Sequence, residues 1–362
     1  MNDSSPDRDL VVVSASDDGY AMQLAVAMRS VIDALAPGAR CRLFILDAGL
    51  SAASRARCLE AWADERVTVH WLAPPLHVVQ DLPVSGHVNQ TAYLRLLLDE
   101  LLPADVTKCI YLDADLVVRR DIARLWDVPL AGHTVLAVTD VGCPRMDAAI
   151  GLPTYPRCRH HLATERPVPN YRDLGIDPSA KYFNSGVMVV DVGRWRQEAV
   201  GRRSIEALDR YREHVIWWDQ YALNVTLAGR WGELDGRWNQ VAAIHVYPSW
   251  EESPVDRQLF EQLRGDPWIV HYCSASKPWH ADCRHPWTGE FFRVLDATPW
   301  RGWRPTAPGP RPQSAAQAAP QPAAPPRRRR WRRLKDKVRG ALRRLTGRPS
   351  GQRPWRALST DS

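Results

Sequence analysis

Cys109-Ile-Tyr-Leu-Asp-Ala-Asp115 is an apolar run that ends in two carboxylates. Such a run predicts a buried β-strand, and side chains two positions apart in an extended backbone point to the same side. We therefore expect Asp113 and Asp115 to face one ligand, with the small side chain of Ala114 between them. Carboxylate pairs suit a hard divalent cation, Mn²⁺ or Mg²⁺, although strand-end carboxylates also occur solvated or in turns.

Four similar apolar runs lie at residues 10–15, 41–46, 67–71 and 134–138, and helical patterns separate them. This alternation predicts an α/β fold with a largely parallel sheet. Ligands of such sheets bind beyond the carboxyl ends of the strands. Those ends carry a set of acidic residues that favours a bound cation: Asp17, Asp18, Asp47, Asp113, Asp115 and Asp140.

Three further segments complete the predicted body. Residues 20–35 have apolar side chains at helical spacing, which predicts the first helix. Residues 143–180 are rich in proline and show little periodicity, so they are predicted to form a long surface loop. Residues 182–190 are predicted to form the next strand.

Charge divides the chain into a body and a tail. The 362 residues are 45% hydrophobic and 25% charged, which is ordinary for a globular protein and excludes disorder of the whole. Residues 327–362 hold fourteen Arg or Lys against two Asp, whereas the first 326 residues are net negative. A basic tail on a mildly acidic body indicates that the tail contacts an anionic surface.

Cysteine use and the N-terminus concern the compartment. Seven cysteines without a CxxC pair suggest neither a disulfide framework nor a zinc cluster, so a reducing compartment is expected. The start MNDSSPDRDL lacks the features of a signal peptide, and no stretch approaches the roughly 18 to 20 apolar residues of a spanning helix. We expect a cytoplasmic protein.

The C-terminal segments follow a predicted folded body over residues 1–303. Residues 304–326, mostly Pro, Ala and Gln, are predicted to be an extended linker. Residues 327–348 predict a basic amphipathic helix on the inner face of the cell membrane, and residues 349–362 a disordered tail. The alternative for the helix is a solvated, disordered segment. The apolar stripe of the predicted helix consists of Trp331, Leu334, Val338, Leu342 and Leu345.

Five separated segments give the chain a resemblance to glycosyltransferase family 8, in particular to bacterial lipopolysaccharide galactosyltransferases and glucosyltransferases. The resemblance covers about residues 10–290 and implies the GT-A fold, a Rossmann-like nucleotide-sugar-binding fold with a mostly parallel mixed sheet flanked by helices. The segments are Val13-Ser-Ala-Ser-Asp-Asp-Gly-Tyr20, Thr91-Ala-Tyr-Leu-Arg95, Tyr111-Leu-Asp-Ala-Asp115, Tyr182-Phe-Asn-Ser-Gly-Val187 and His271-Tyr-Cys-Ser-Ala-Ser-Lys-Pro-Trp-His280.

The resemblance also implies roles for single residues. It implies a metal site at Asp113, Asp115 and His271, and a nucleotide site at Ala15, Asp17, Tyr20 and Lys277. It places Arg95, Asp140, Asn184 and Asp219 around the donor sugar, and His87, Trp217 and Cys273 along the acceptor cleft. Asp219 and Gln220 would be the catalytic pair.

Each of these side chains also has a structural alternative. Asp17 or Asp18 would be a helix cap, and His271 would be a packed histidine. Arg95 would form a surface ion pair, and Trp217 would belong to the core. Gly19, Ser274 and Tyr221 depart from the family pattern, and residues 155–180 are longer than that pattern. Acceptor recognition is therefore the part of the family's function that the resemblance implies least firmly for this chain.

The resemblance implies transfer of galactose or glucose from UDP to a saccharide hydroxyl with retention of configuration. The acceptor would be lipopolysaccharide or another lipid-linked cell-surface glycan. An uncharged glutamine is a poor nucleophile, which favours front-face attack without a covalent intermediate.

Two other function classes compete with this one. A sugar-phosphate nucleotidyltransferase would need a glycine-rich basic loop after the first strand, where this chain has Ser14-Ala-Ser-Asp-Asp-Gly19. A non-enzymatic protein binding an anionic surface through its tail would, for nucleic acid, mix basic with aromatic residues. One tryptophan in an apolar stripe fits lipid better, so nucleic acid is not an expected partner.

Overall fold

The computed structural model describes residues 8–83 and 90–308. His87, the linker beyond residue 308, the predicted amphipathic helix at 327–348 and the tail at 349–362 therefore lie outside the described residues. Within the described ranges, no helix combines the length and apolar character needed to cross a membrane.

The described elements alternate as the sequence pattern predicts. The strands are β1 (Arg8–Ser16), β2 (Ala39–Asp47), β3 (Val67–Leu72), β4 (Lys108–Leu112), β5 (Leu116–Val118), β6 (Val135–Thr139), β7 (Phe183–Asp191), β8 (Gly232–Glu233), β9 (Gln240–Val241) and β10 (Ile269–His271). The α-helices are α1 (Ala21–Asp33), α2 (Ala52–Ala61), α3 (Leu98–Leu101), α4 (Ala123–Trp126), α5 (Ala148–Gly151), α6 (Tyr155–Cys158), α7 (Val192–Gln197), α8 (Val200–Arg210), α9 (Trp218–Leu227), α10 (Arg257–Gly265) and α11 (Thr288–Leu295).

Seven strands form the main sheet in the order β3-β2-β1-β4-β7-β6-β8. The pairs β1–β2, β2–β3, β1–β4 and β6–β8 are parallel, whereas β7 runs antiparallel to both β4 and β6. The prediction of a mostly parallel mixed sheet flanked by helices is confirmed.

The central strand β1 is buried on both faces, as a continuous apolar run requires. Leu10 and Val12 pack in one core cluster with α1 residues such as Leu24 and Met28. Val11 and Val13 pack in a second cluster on the opposite face, together with residues of α8 and α9. Helices on both faces leave the strand ends as the place where polar side chains meet.

A second, three-stranded sheet brings distant residues to the end of β4. Strand β5 pairs antiparallel with β10, so that Leu116 lies opposite His271. The N–H of Tyr272 donates to the carbonyl of Asp115 at 2.9 Å, and the N–H of Asp113 donates to the carbonyl of Gly186 at 2.9 Å. Asp113 and Asp115 are thus held between β7 and β10.

Residues 143–180 differ from the predicted surface loop. They contain the short helices α5 and α6, and Met146, Val168 and Tyr171 are buried in the core. The Tyr171 hydroxyl donates to the Asp147 carboxylate at 2.8 Å. The prediction was wrong about burial. The buried apolar residues of this segment are isolated and not regularly spaced, so an analysis of hydrophobic periodicity does not detect them.

Gly201 offers a test of the packing that positions the segment carrying Arg95. A Cβ at Gly201 in α8 would lie 1.9 Å from the carbonyl oxygen of Leu96, whereas one at Gly265 would meet nothing within 4 Å. We expect Gly201→Ala to lower the free energy of unfolding by about 1–3 kcal/mol. Gly265→Ala should change it by less than about 0.5 kcal/mol. Urea denaturation measures both, and equal stabilities would show that α8 shifts without cost.

Candidate active site

Asp113, Asp115 and His271 converge at the junction of the two sheets. Asp113 follows β4, Asp115 precedes β5, and His271 ends β10. One potential ligand atom of each lies within 4.8 Å of the other two. His271 Nε2 lies 3.1 Å from Asp115 Oδ1 and 3.7 Å from Asp113 Oδ2. Carboxylate and imidazole ligands together suit Mn²⁺ or a similar cation.

The hydrogen bonds behind His271 orient it as a ligand. Asn239 donates its amide to Asn184 Oδ1 at 3.0 Å, so its own Oδ1 is the acceptor that faces His271 Nδ1 at 2.9 Å. The proton of a neutral imidazole is then on Nδ1, and Nε2 presents its lone pair to the carboxylates. This tautomer is inferred from the hydrogen-bond pattern.

Gly186 leaves room for this arrangement. A Cβ there would lie 2.2 Å from His271 Cε1 and 2.8 Å from Asp113 Oδ2. Only a residue without a side chain lets β7 pass so close to both groups. The donor set, its tautomer and this space together fit a divalent cation.

Lys277 balances the charge of Asp115. Its Nζ lies 2.5 Å from Asp115 Oδ2 and 2.5 Å from the Tyr272 carbonyl, and the side chain is buried. Burial alone would raise the pKa of Asp115, but the charge of Lys277 opposes that effect and helps to hold the pKa well below its usual range. Burial lowers the pKa of Lys277, yet Asp115 more than offsets this and leaves it raised.

Arg95 connects Asp113 of the predicted metal site with Asp219 of the predicted catalytic pair. It is only 4% exposed, so the expectation of a surface ion pair is wrong. Its Nη2 lies 2.7 Å from Asp113 Oδ1, and its Nε lies 3.1 Å from Asp219 Oδ2. Burial raises the pKa of Asp219 to about 6, although Arg95 opposes that shift. The guanidinium thereby fixes two carboxylates from different elements.

A hydrogen-bond network beside the Arg95–Asp219 ion pair consists of Asp140, Asn184 and Gln220. Asp140 Oδ2 accepts from Asn184 Nδ2 at 3.0 Å and from Gln220 Nε2 at 3.2 Å. Gln220 Oε1 accepts from the N–H of Ser185 at 3.2 Å. Because both ends of the Gln220 amide are engaged, its direction is fixed.

Two tryptophans with a strained backbone precede the predicted catalytic pair, Asp219 and Gln220. Trp217 and Trp218 both have φ of 52°, the left-handed region that costs a bulky residue about 1–3 kcal/mol. Both line the cleft, and Trp217 also packs edge-on against Tyr182 with ring centroids 5.7 Å apart. Trp217 therefore combines the predicted cleft position with the core packing of the alternative.

Asp17 and Tyr20 line the same cleft. Asp17 caps the short 3-10 helix Asp18–Tyr20 by accepting from the Tyr20 N–H at 3.2 Å, as the structural alternative proposed. Its other oxygen accepts from the Thr91 hydroxyl at 3.2 Å. Tyr20 contacts Trp279 edge-on at 5.7 Å. Their contact with a nucleoside stays a prediction.

One cleft of about 910 Å³ unites these groups, a size typical of ligand sites. It is lined by all the predicted site residues within the described ranges: Ala15, Asp17, Tyr20, Arg95, Asp113, Asp115, Asp140, Asn184, Trp217, Asp219, Gln220, His271, Cys273 and Lys277. His87 lies outside the described residues. Burial raises the pKa of Cys273 to about 12, so it is a neutral thiol.

Sequence reasoning missed Ser185 and Asn239. Ser185 lies inside a quoted segment, so it had a local signal. Asn239 had none, because its role depends on β9 lying beside β10.

Comparison with known proteins agrees with this geometry. The family model described as glycosyl transferase family 8 matches residues 11–283. The chain belongs to this family. As a family 8 glycosyltransferase, it is neither a nucleotidyltransferase nor a purely surface-binding protein.

Relatives of this glycosyltransferase include enzymes of lipopolysaccharide synthesis. General stress protein A of Bacillus subtilis is 27% identical over 80% of this chain and 94% of its own length. The lipopolysaccharide 1,2-glucosyltransferase of Escherichia coli is 26% identical over 62% of this chain and 59% of its own length. Among solved structures, galactosyltransferase LgtC in complex with donor and acceptor sugar analogs has a TM-score of 0.64 at 25% identity. The match covers 80% of this chain and 96% of that chain.

The space at Gly186 predicts a selective effect on cation binding. We expect Gly186→Ala to weaken Mn²⁺ binding at least tenfold, because its Cβ would displace the His271 ring or the Asp113 carboxylate. Gly289→Ala is the matched control, since a Cβ there meets nothing within 4 Å. Calorimetric titration with Mn²⁺ measures both variants. Equal affinities would remove the cation site from this junction.

Proposed function

We propose that this glycosyltransferase transfers galactose or glucose from a UDP-sugar to a hydroxyl of a saccharide acceptor, with retention of anomeric configuration. The observation that carries the proposal is the convergence of Asp113, Asp115 and His271 within 4.8 Å, beside the buried cations Arg95 and Lys277. Support for the sugars comes from LgtC, crystallised with donor and acceptor sugar analogs, and from the glucosyltransferase relative.

Asp113, Asp115 and His271 would hold Mn²⁺ or Mg²⁺, which when bound neutralises charge on the diphosphate as it leaves. Lys277, whose ammonium faces Asp115, adds a second positive charge at the same place. Ala15, Asp17 and Tyr20, which line the same cleft, would receive the nucleoside. Arg95, Asp140, Asn184 and Asp219 would surround the donor sugar.

Gln220 favours a front-face mechanism. Its amide is neutral and hydrogen-bonded at both ends, which suits a fixed dipole better than a nucleophile. Asp219 Oδ2 is already engaged by Arg95 Nε and by the Ser185 hydroxyl at 3.1 Å each. We therefore assign the acceptor hydroxyl's proton to the leaving phosphate oxygen, and to the Gln220 carbonyl the stabilisation of positive charge at the anomeric carbon.

Chelation and one acid-to-amide change test the cation. We expect EDTA to abolish turnover of UDP-galactose or UDP-glucose and Mn²⁺ to restore it. Asp115→Asn should lower kcat/KM at least about 100-fold, because a bound metal contributes several kcal/mol to the transition state. Asp105→Asn removes an exposed carboxylate that pairs with Arg42, and it should leave activity unchanged. Full activity in EDTA, or of Asp115→Asn, would refute the proposal.

The acceptor is proposed to be lipopolysaccharide or another lipid-linked glycan, reached from the cytoplasmic face of the membrane. Support comes from the basic amphipathic pattern of residues 327–348 and from the lipopolysaccharide relatives. Trp217 and Cys273 line the cleft where such an acceptor would enter, and His87 is proposed to join them.

The basic tail predicts binding to anionic membranes. The full chain should sediment with vesicles that contain anionic lipid, and a chain ending at residue 304 should not. Neutral vesicles should recruit neither, since the attraction is electrostatic as well as apolar. Equal recovery of both chains on anionic vesicles would reject the membrane role and leave the transferase proposal intact.

A further inference from the structure

Asn224 lies in α9, one helical turn after Gln220, and its side chain is fully buried. Its Oδ1 accepts from the N–H of Phe183 at 2.8 Å, and its Nδ2 donates to the carbonyl of Phe183 at 2.8 Å. The same Nδ2 donates to the carbonyl of Gln220 at 2.9 Å. One side chain thus connects the first residue of β7 to the helix that carries the catalytic pair.

The end of β4 explains why β7 needs this partner. The β4–β7 ladder stops where Leu112 pairs with Val187, so β7 extends beyond β4 over residues 183–186. On its other side, β7 still pairs with β6 as far as Thr139 opposite Phe183. The Asn224 carboxamide donates and accepts at Phe183 as a neighbouring peptide group would, and it satisfies a backbone segment that β4 no longer covers.

We propose that Asn224 is the positioning residue that sets Gln220 against Ser185. Gln220 Oε1 accepts from the Ser185 N–H, two residues after the peptide that Asn224 holds. The hydrogen bond between Gln220 and Ser185 therefore joins α9 to β7, and the Asn224–Phe183 hydrogen bonds join the same two elements beside it. The inference rests on the proposed role of Gln220, and it adds a residue that is not itself among those lining the cleft.

Two substitutions separate the contributions of Asn224. Asn224→Ala removes the hydrogen bonds to Phe183 and to Gln220, so Gln220 is expected to shift. A shift of about 1 Å at the reacting centre can slow turnover about 100-fold. Asn224→Asp preserves the volume but turns a carboxylate oxygen toward the carbonyls of Phe183 and Gln220, so it should be at least as slow. UDP affinity with Mn²⁺ should stay within about twofold in both, because the proposed nucleotide and metal ligands are on other elements.

Ser204→Ala is the matched control. Ser204 is fully buried in α8, and its hydroxyl donates to the hydroxyl of Thr226 at 3.2 Å. Thr226 lies in α9, the helix that also carries Asn224, and neither Ser204 nor Thr226 lines the cleft. Its kcat should stay within about twofold of that of the unaltered protein, although it too loses a buried hydrogen bond to α9.

A double-mutant cycle with Gln220→Ala decides between a positioning and a structural role. If Asn224 acts through Gln220, Asn224→Ala should lower kcat about 100-fold alone but less than about threefold in the Gln220→Ala background. Equal losses in both backgrounds, a loss of UDP binding that parallels the loss of kcat, or an equally slow Ser204→Ala would overturn the inference. An unchanged kcat for Gln220→Ala alone would instead refute the proposed role of Gln220.

Discussion

The site depends on holding two neighbouring, partly buried carboxylates, Asp113 and Asp115, at the end of one strand. Like charges repel each other, and the repulsion is stronger where little water surrounds them. The buried cations Arg95 and Lys277 offset that repulsion, one for each carboxylate, with N···O distances of 2.7 and 2.5 Å. Because a buried charge that loses its partner costs about 3–5 kcal/mol, the two cations and the two carboxylates must be positioned together.

That requirement explains why the sheet has an antiparallel strand in its middle. Strand β7 enters between β4 and β6 and brings Gly186 against Asp113, and Ser185 against Arg95 and Asp219. The second sheet delivers His271 from the other side. Polar groups from β4, β7, α9 and β10 therefore meet in one place, although no two of these elements are adjacent along the chain.

The sequence predicted what depends on local pattern. Apolar runs located six of the seven strands of the main sheet, although not the two-residue β8. The spacing of Asp113 and Asp115 indicated a shared ligand. His271 and Lys277 were predicted only by resemblance, because the β5–β10 pairing that places them is long-range. Burial of Arg95 was not predicted, since a single cation on a helical pattern gives no sign of the two carboxylates that compensate it.

Two of the residues that sequence reasoning missed share one physical property. Asn239 and Asn224 act through carboxamides that donate and accept at once, toward His271 and toward the Phe183 backbone respectively. An asparagine in the middle of a helix is locally unfavourable, so its presence is explained by tertiary hydrogen bonds rather than by helix propensity. The strained backbone of Trp217 and Trp218 also depends on tertiary contacts, because a left-handed conformation persists only where surrounding contacts hold it. The surroundings of Gln220 and His271 are therefore organised in large part by fixed neutral amides and backbone, whereas Asp113 and Asp115 are held by the charges of Arg95 and Lys277.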